Sequence, residues 1–256
     1  MKSIFTFFLA FLTITTFAQK DFQGTATYMS KTTMDMSRFG NRSEQEKKQM
    51  MARMKNYLEK TYTLSFNRTE SAFKEDAKLD APGGSGGSRW GASNGQGSIY
   101  KNLKDKEMIE DVEQFSKRFL IVEEMEQPKW ELGTETKIDW GSMFRRGRGQ
   151  KKDSTKTEDK KEDIKLLQVT AWYTPQVPVS SGPEGYWGLP GLILELNAGR
   201  TTMLCTEIVL NPSEAVKIDK PSKGKKVDRD EYNEIVKVKT DELKERFQNR
   251  RGGRGF

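Results

Sequence analysis

Two sets of residues in this 256-residue chain are of types that could do chemistry. Glu184 and Glu195 lie in and just after an aromatic, proline-rich stretch. Paired carboxylates there would suit a carboxylate-dependent hydrolase, with one acid and one base, as in glycoside cleavage. With 37 Asp and Glu in the chain, two beside aromatics carry little weight, and Glu195 sits where strand alternation turns it outward. Met29, Met34, Met36, Met50, Met51 and Met54 offer soft thioethers, which would suit copper(I) in a periplasmic metal-handling protein. No histidine backs them, and unbranched Met fills a core readily from a helix face. The rest of the composition excludes chemistry that needs imidazole or several thiols. A chain without histidine has no Ser-His-Asp or Cys-His machinery and no imidazole metal ligand. One cysteine, Cys205, cannot form an intrachain disulfide, a Cys-rich zinc site or an iron–sulfur cluster. No catalytic residue, metal ligand or cofactor is assigned, and a noncatalytic binder is favoured.

The elements that would position any site are mostly strands. Phe22–Lys31, Thr61–Phe66, Ser98–Tyr100, Phe119–Val122, the piece around Trp130, Leu166–Tyr173, Leu192–Leu196 and Thr201–Leu210 carry β-branched and aromatic residues or alternating polarity. Asn197-Ala198-Gly199-Arg200 predicts a hairpin, because Asn and Gly tolerate positive φ. Helical period appears over 43–60, where Met50, Met51, Met54, Tyr57 and Leu58 share a face. Ser43 stands three residues before Glu46, a capping box that starts this helix. A second, C-terminal helix near 230–248 follows Asp228 and Asp230, with a sparse stripe of Tyr232, Ile235, Val236, Leu243 and Phe247. The expected fold is α+β, mostly β: a curved antiparallel sheet, open or half-barrel in form, with the two helices added.

Three segments are too polar or too rich in glycine to order themselves. Flexible insertions are expected at 82–97 and 141–163, and a disordered Arg/Gly tail at 249–256. The remainder, 19–248, reads as a single β-rich domain. It follows an expected signal peptide at 1–18: basic Lys2, an apolar run from Ile4 to Leu12, and small Ala18 at the cut. Export to the periplasm or beyond is the expectation, and the mature chain should not be an integral membrane protein. The Arg-Gly segments resemble RNA-binding tails, but an exported chain does not meet intracellular RNA, so no nucleic acid partner is assigned. A formal charge of +7 makes anionic envelope surfaces a salt-sensitive partner.

The most informative stretch is 170–196. Four of the eight prolines (Pro175, Pro178, Pro183, Pro190) lie there with Trp172, Tyr173, Tyr186 and Trp187. Proline stiffens the backbone, and Pro190-Gly191 predicts the centre of a type II turn leading into Leu192-Ile193-Leu194. The four aromatics are the candidate surface for an envelope protein or an apolar or extended ligand, since Tyr and Trp serve as anchors as well as core.

Gly188-Leu189-Pro190-Gly191-Leu192-Ile193, preceded by Ala171-Trp172-Tyr173-Thr174-Pro175 and Gly182-Pro183, resembles the signature of the GLPGLI family. Trp130-Glu131-Leu132 and Glu135-Thr136-Lys137 extend the likeness upstream. The resemblance implies an exported, β-rich bacterial protein of the Bacteroidetes, with no known function. It also implies a cysteine soon after the piece matching Thr136-Lys137-Ile138. Here that place holds Asp139-Trp140-Gly141-Ser142-Met143, so Cys205 has no intrachain partner and is expected to be a small buried apolar residue on a strand.

Overall fold

The first strand shows how the molecule is built. In β1 (Gln23–Thr32), Gly24, Ala26, Tyr28 and Ser30 are buried while the residues between them are not. That period of two gives the strand one core face and one outer face. In the computed structural model the described residues are 22–34, 43–76, 97–139, 142–152 and 166–252, with backbone alone at 56, 137–139, 142–152, 166–167 and 249–252. The expected leader, most of the first insertion, Met36, Gly141 and residues 153–163 of the second insertion, and residues 253–256 of the expected tail lie outside them.

After β1, helix α1 (Glu44–Leu58) runs directly into β2 (Glu59–Asn67). The capping box forms as expected: Ser43 Oγ accepts from Glu46 N at 3.3 Å, and Ser43 N donates to Glu46 Oε2 at 2.9 Å. The chain continues through β3 (Glu70–Glu75), β4 (Ser98–Asn102), β5 (Glu107–Gln114), β6 (Lys117–Glu124), β7 (Trp130–Asp139), β8 (Ser142–Lys152) and β9 (Leu166–Thr174). It then forms β10 (Leu192–Ala198), β11 (Thr201–Leu210), β12 (Lys225–Val227) and helix α2 (Arg229–Gly252). The strands make one 12-stranded sheet in the order β12-β6-β5-β4-β3-β2-β1-β11-β10-β9-β8-β7, not closed into a barrel. Every pairing is antiparallel except β12 with β6. The hairpin at Asn197–Arg200 is present, with Ala198 opposite Thr201 and Gly199 at φ +59.

Two expectations of disorder fail: α2 runs through Gly252, so residues 249–252 of the expected tail are helical, and part of the second insertion is a strand. The stretch Ser142–Lys152 falls in the insertion expected at 141–163, yet it forms β8, laddered to β7 on one side and β9 on the other. Its Arg and Gly residues give no strand pattern. A strand between two partners is held by backbone hydrogen bonds, which any non-proline sequence can make.

The ladder register sorts side chains onto two faces, because directly opposed residues share a face. The core face carries Ala26 and Tyr28, Leu64 and Phe66, Phe73, Ala171 and Tyr173, Leu196 and Met203, all buried. The segment between β9 and β10 lies over it, adding Val177, Val179, Tyr186 and Leu189 to the same cluster. Further along that face, Tyr232 and Ile235 of α2 pack on Phe119, Ile121 and Val227, while Leu243 and Phe247 stay exposed. On the outer face of β4–β6, Tyr100, Ile109 and Leu120 are covered by Ile218. Asp228 caps α2 by accepting from Glu231 N at 2.7 Å. Between β5 and β6 the two-residue turn is made by Phe115 (φ +53) and Ser116 (φ +58), side chains that pay a strain there.

Candidate functional site

The proline-rich segment 175–191 has few helix or strand hydrogen bonds of its own, so its position depends on side chains reaching it from the sheet. Lys101, on β4, is the chief of these. It is fully buried, and its ammonium donates to the carbonyl oxygens of Gly182 (2.6 Å), Glu184 (2.7 Å) and Tyr186 (3.2 Å). Three donors meeting three carbonyl dipoles let a buried cation replace its water shell. Ser71 Oγ, opposite Lys101 in the ladder, lies 3.0 Å from Ser181 Oγ. Tyr28 Oη donates to Ile193 O at 2.5 Å. Backbone bonds from Leu192 N to Val177 O and from Ile193 N to Ser181 O, both 3.0 Å, complete the attachment. Burial raises the Tyr28 hydroxyl well above its usual pKa, and the neighbouring Cys205 adds to this.

The signature residues are structural. Gly191 passes so close to β9 that a Cβ there would lie 2.1 Å from Thr174 O and 2.6 Å from Thr174 C. Gly188 has φ +93, and Pro128 Cδ stands 3.3 Å from where its Cβ would be. Leu189, Leu192 and Ile193 are buried in the main core, and Pro190 is exposed. The expected type II turn is not what Pro190-Gly191 makes. Gly191 N bonds to Leu189 O at 2.8 Å, a three-residue turn about Pro190, and Gly191 is nearly extended at φ +158.

The four candidate aromatics do not form one exposed surface: Tyr173 and Tyr186 belong to the main core cluster, and Trp172 packs against it. Tyr173 and Tyr186 are core side chains, 3% and 6% exposed, so they cannot be a surface that a partner touches. Trp172 lies between Ala171 and Tyr173 on β9 and so takes the outer face, opposite Glu195 of β10. Trp187, in the segment that covers the core face, is half-buried. There Trp130 Nε1 donates to Trp187 O at 2.7 Å. Trp130 and Leu132 alternate onto the same face of β7, opposite Gly149 and Gly147 of β8, and Leu132 is 59% exposed. Trp130, held to the backbone of Trp187 and on the same strand face as exposed Leu132, thus marks an apolar corner that no single stretch of sequence announces.

The carboxylates separate as well. Glu195 takes the outer face, where Oε1 accepts from Asn197 Nδ2 at 2.8 Å. Glu184 sits over the core face at φ +50, near enough for its charge to help raise the pKa of Tyr62, after burial and Glu75. The sheet stands between them, so they do not converge as an acid–base pair. Met29 is exposed on β1, whereas Met50 and Met54 lie on the half-buried side of α1 with Leu58. Among the described residues, no three of His, Cys, Asp and Glu group as metal ligands. Cys205 is fully buried, its Sγ is 3.4 Å from Glu207 O, and burial pushes its thiol up to about 12. A separate open cleft of ≈ 680 Å³ lies by β5, β6 and the start of α2, lined by Glu107, Ile109, Val122, Lys220, Asp228 and Glu231.

Sequence reasoning missed Lys101. Its signal was present: in Ile99-Tyr100-Lys101, alternation puts Lys101 on the same face as Ile99, which faces the core. A lysine on a core face needs acceptors, and the segment at 182–186 supplies them.

Residues 130–195 match the model of a family described as a protein of unknown function, Porph_ging. The Porph_ging span starts at Trp130 and runs through the proline-rich segment to Glu195, so it includes both the apolar corner and the signature glycines. Among curated proteins, none matches the sequence. In overall fold the chain is similar to PNGF-II, solved in space group C2, with a TM-score of 0.51 at 11% identity over 84% of this chain and 32% of that one. A second structure of PNGF-II, in P21, gives 0.48 at 11% identity over 84% and 33%. The chain thus spans about a third of the length of PNGF-II. At that identity the likeness is one of fold alone. Among the described residues, no helix is long and apolar enough to cross a membrane.

Proposed function

We propose that the chain is an exported, noncatalytic binding protein of the bacterial cell envelope, of the GLPGLI type, that engages an extended or apolar partner segment at the Trp130–Leu132–Trp187 corner. The observation that carries this is the exposure of Leu132, 59%, on the same strand face as Trp130, whose indole is fixed by a hydrogen bond to the backbone oxygen of Trp187. Exposed apolar groups beside rigid aromatics are the usual anchors of a binding surface. The Lys101 clamp supports it, because a surface held in place loses little freedom on binding. Export rests on the leader pattern at 1–18. The separation of Glu184 from Glu195 by the sheet weighs against the hydrolase alternative.

The test is a photo-cross-linking side chain placed at Leu132 and, for comparison, at exposed Val209 on β11. With whole envelopes, a discrete adduct from position 132, absent from position 209 and lost in Trp187→Ala with unchanged melting, is the expected result. Equal labelling from both positions would remove the corner as a binding surface.

A further inference from the structure

β7 is the last strand on its side of the sheet, and among the described residues no strand pairs with its outer edge. Residues 131–136 are all exposed. A ten-residue open edge is a template for strand addition, and proteins commonly blunt such edges with charge. Here the charges are ordered in a way that blunting does not require. Lys129 stands just before the strand, and Glu131, Glu135, Lys137 and Asp139 stand along it.

We propose that β7 is a self-complementary edge at which a second copy of this chain pairs antiparallel, about a two-fold axis through Thr134. In that register Lys129 meets Asp139, Glu131 meets Lys137, Trp130 meets Ile138 and Leu132 meets Thr136. Symmetry doubles each pair, so every charge on the edge except Glu135 is opposite its complement, and Glu135 meets Gly133. The neighbouring registers that keep each residue on its own face are penalised. Centred on Gly133, Lys129 meets Lys137 and Glu131 meets Glu135. Centred on Glu135, Glu131 meets Asp139 and Glu135 meets itself. Like charges directly opposed across strands are destabilising, so one register is selected. The register of β7 against β8 shifts between Leu132 and Thr136, so the axis falls at this irregularity and the charged pairs lie on either side of it. The two-fold axis is isologous and closes at a dimer. An edge contact of this length is small for a specific interface, so association should be weak, with a dissociation constant on the order of micromolar.

The test is sedimentation equilibrium of the full chain up to about 200 µM in low salt. Wild type should show a monomer–dimer equilibrium. Glu131→Lys and Lys137→Glu each place two like-charge pairs across the edge and should each weaken dimerisation about tenfold or more. Mixing the two variants in equal amounts pairs lysine with glutamate at both positions, so a heterodimer of wild-type strength should form. The double variant carrying both changes should self-associate like wild type. Unchanged circular dichroism of each variant excludes misfolding as the cause. A monomer at the highest concentration, a dimer indifferent to the single changes, or a mixture no stronger than its components would overturn the proposal.

Discussion

Lys101 Nζ lies 2.6 Å from the carbonyl oxygen of Gly182, a residue 81 positions away in the chain. Through this bond and its two companions, one buried cation on β4 fixes the segment that covers the core face. Replacing Lys101 with Met keeps most of the volume and leaves three carbonyls without their donor. Unsatisfied buried acceptors are costly, so a loss of about 3 kcal/mol is expected in urea unfolding. Protease cutting within 175–191 should accelerate in the same variant, under conditions where the protein remains folded.

Gly191 and Gly185 provide a matched pair. A Cβ at Gly191 would enter the Thr174 backbone at 2.1 Å, whereas at Gly185 the nearest atom is Met108 Sδ at 3.5 Å, an ordinary contact. Gly191→Ala should therefore fold poorly or lose about 3 kcal/mol or more, and Gly185→Ala should stay within about 0.5 kcal/mol of wild type. Thermal melts of both variants measure the contrast. Similar melting of the two would remove the close approach as the reason for the second signature glycine.

The turn between β5 and β6 holds Phe115 and Ser116 at positive φ. Asn-Gly is the sequence that such a two-residue turn prefers. Changing Phe115→Asn together with Ser116→Gly should raise stability by about 1–2 kcal/mol, read as a higher urea midpoint at an unchanged slope. A lower midpoint would mean that Phe115 contributes packing that exceeds its strain.

Cys205 makes stability depend on alkaline pH. The free thiol titrates near 9.0, and burial moves it up to about 12 in the folded chain. Between those values the unfolded chain has lost the proton and the folded chain has kept it. The stabilising contribution is therefore complete below about pH 9 and is lost progressively as pH rises toward about 12. The buried hydroxyl of Tyr28, also raised, acts in the same direction. Urea midpoints should fall above pH 9, and less steeply in Cys205→Ala. Thiol reagents should label the native protein slowly and the urea-unfolded chain quickly, since both burial and a raised pKa suppress the thiolate.

Much of this was legible in the sequence, for local reasons. The Ser43–Glu46 box, the Asn197–Arg200 hairpin and the Asp228 cap each depend on residues within a few positions of one another, so their hydrogen bonds are implied by spacing alone. Alternation along β1 and β2 marks a core face without naming what covers it. The strand at Ser142–Lys152 was hidden because its partners, not its own side chains, hold it extended. The division of the aromatics, with Tyr173 and Tyr186 inside and Trp172 and Trp187 half out, follows from which face and which segment each occupies.

The sequence by itself determined a histidine-free, β-rich chain with two capped helices and a stiff segment leading into a buried strand. Only the tertiary structure decided that Lys101 is the clamp, that Trp130 reaches the backbone of Trp187, and that Glu184 and Glu195 stand on opposite sides of the sheet. The reason is physical. Periodicity and capping are short-range and need only neighbours, whereas a buried charge is tolerable only once distant carbonyls have been folded into its reach.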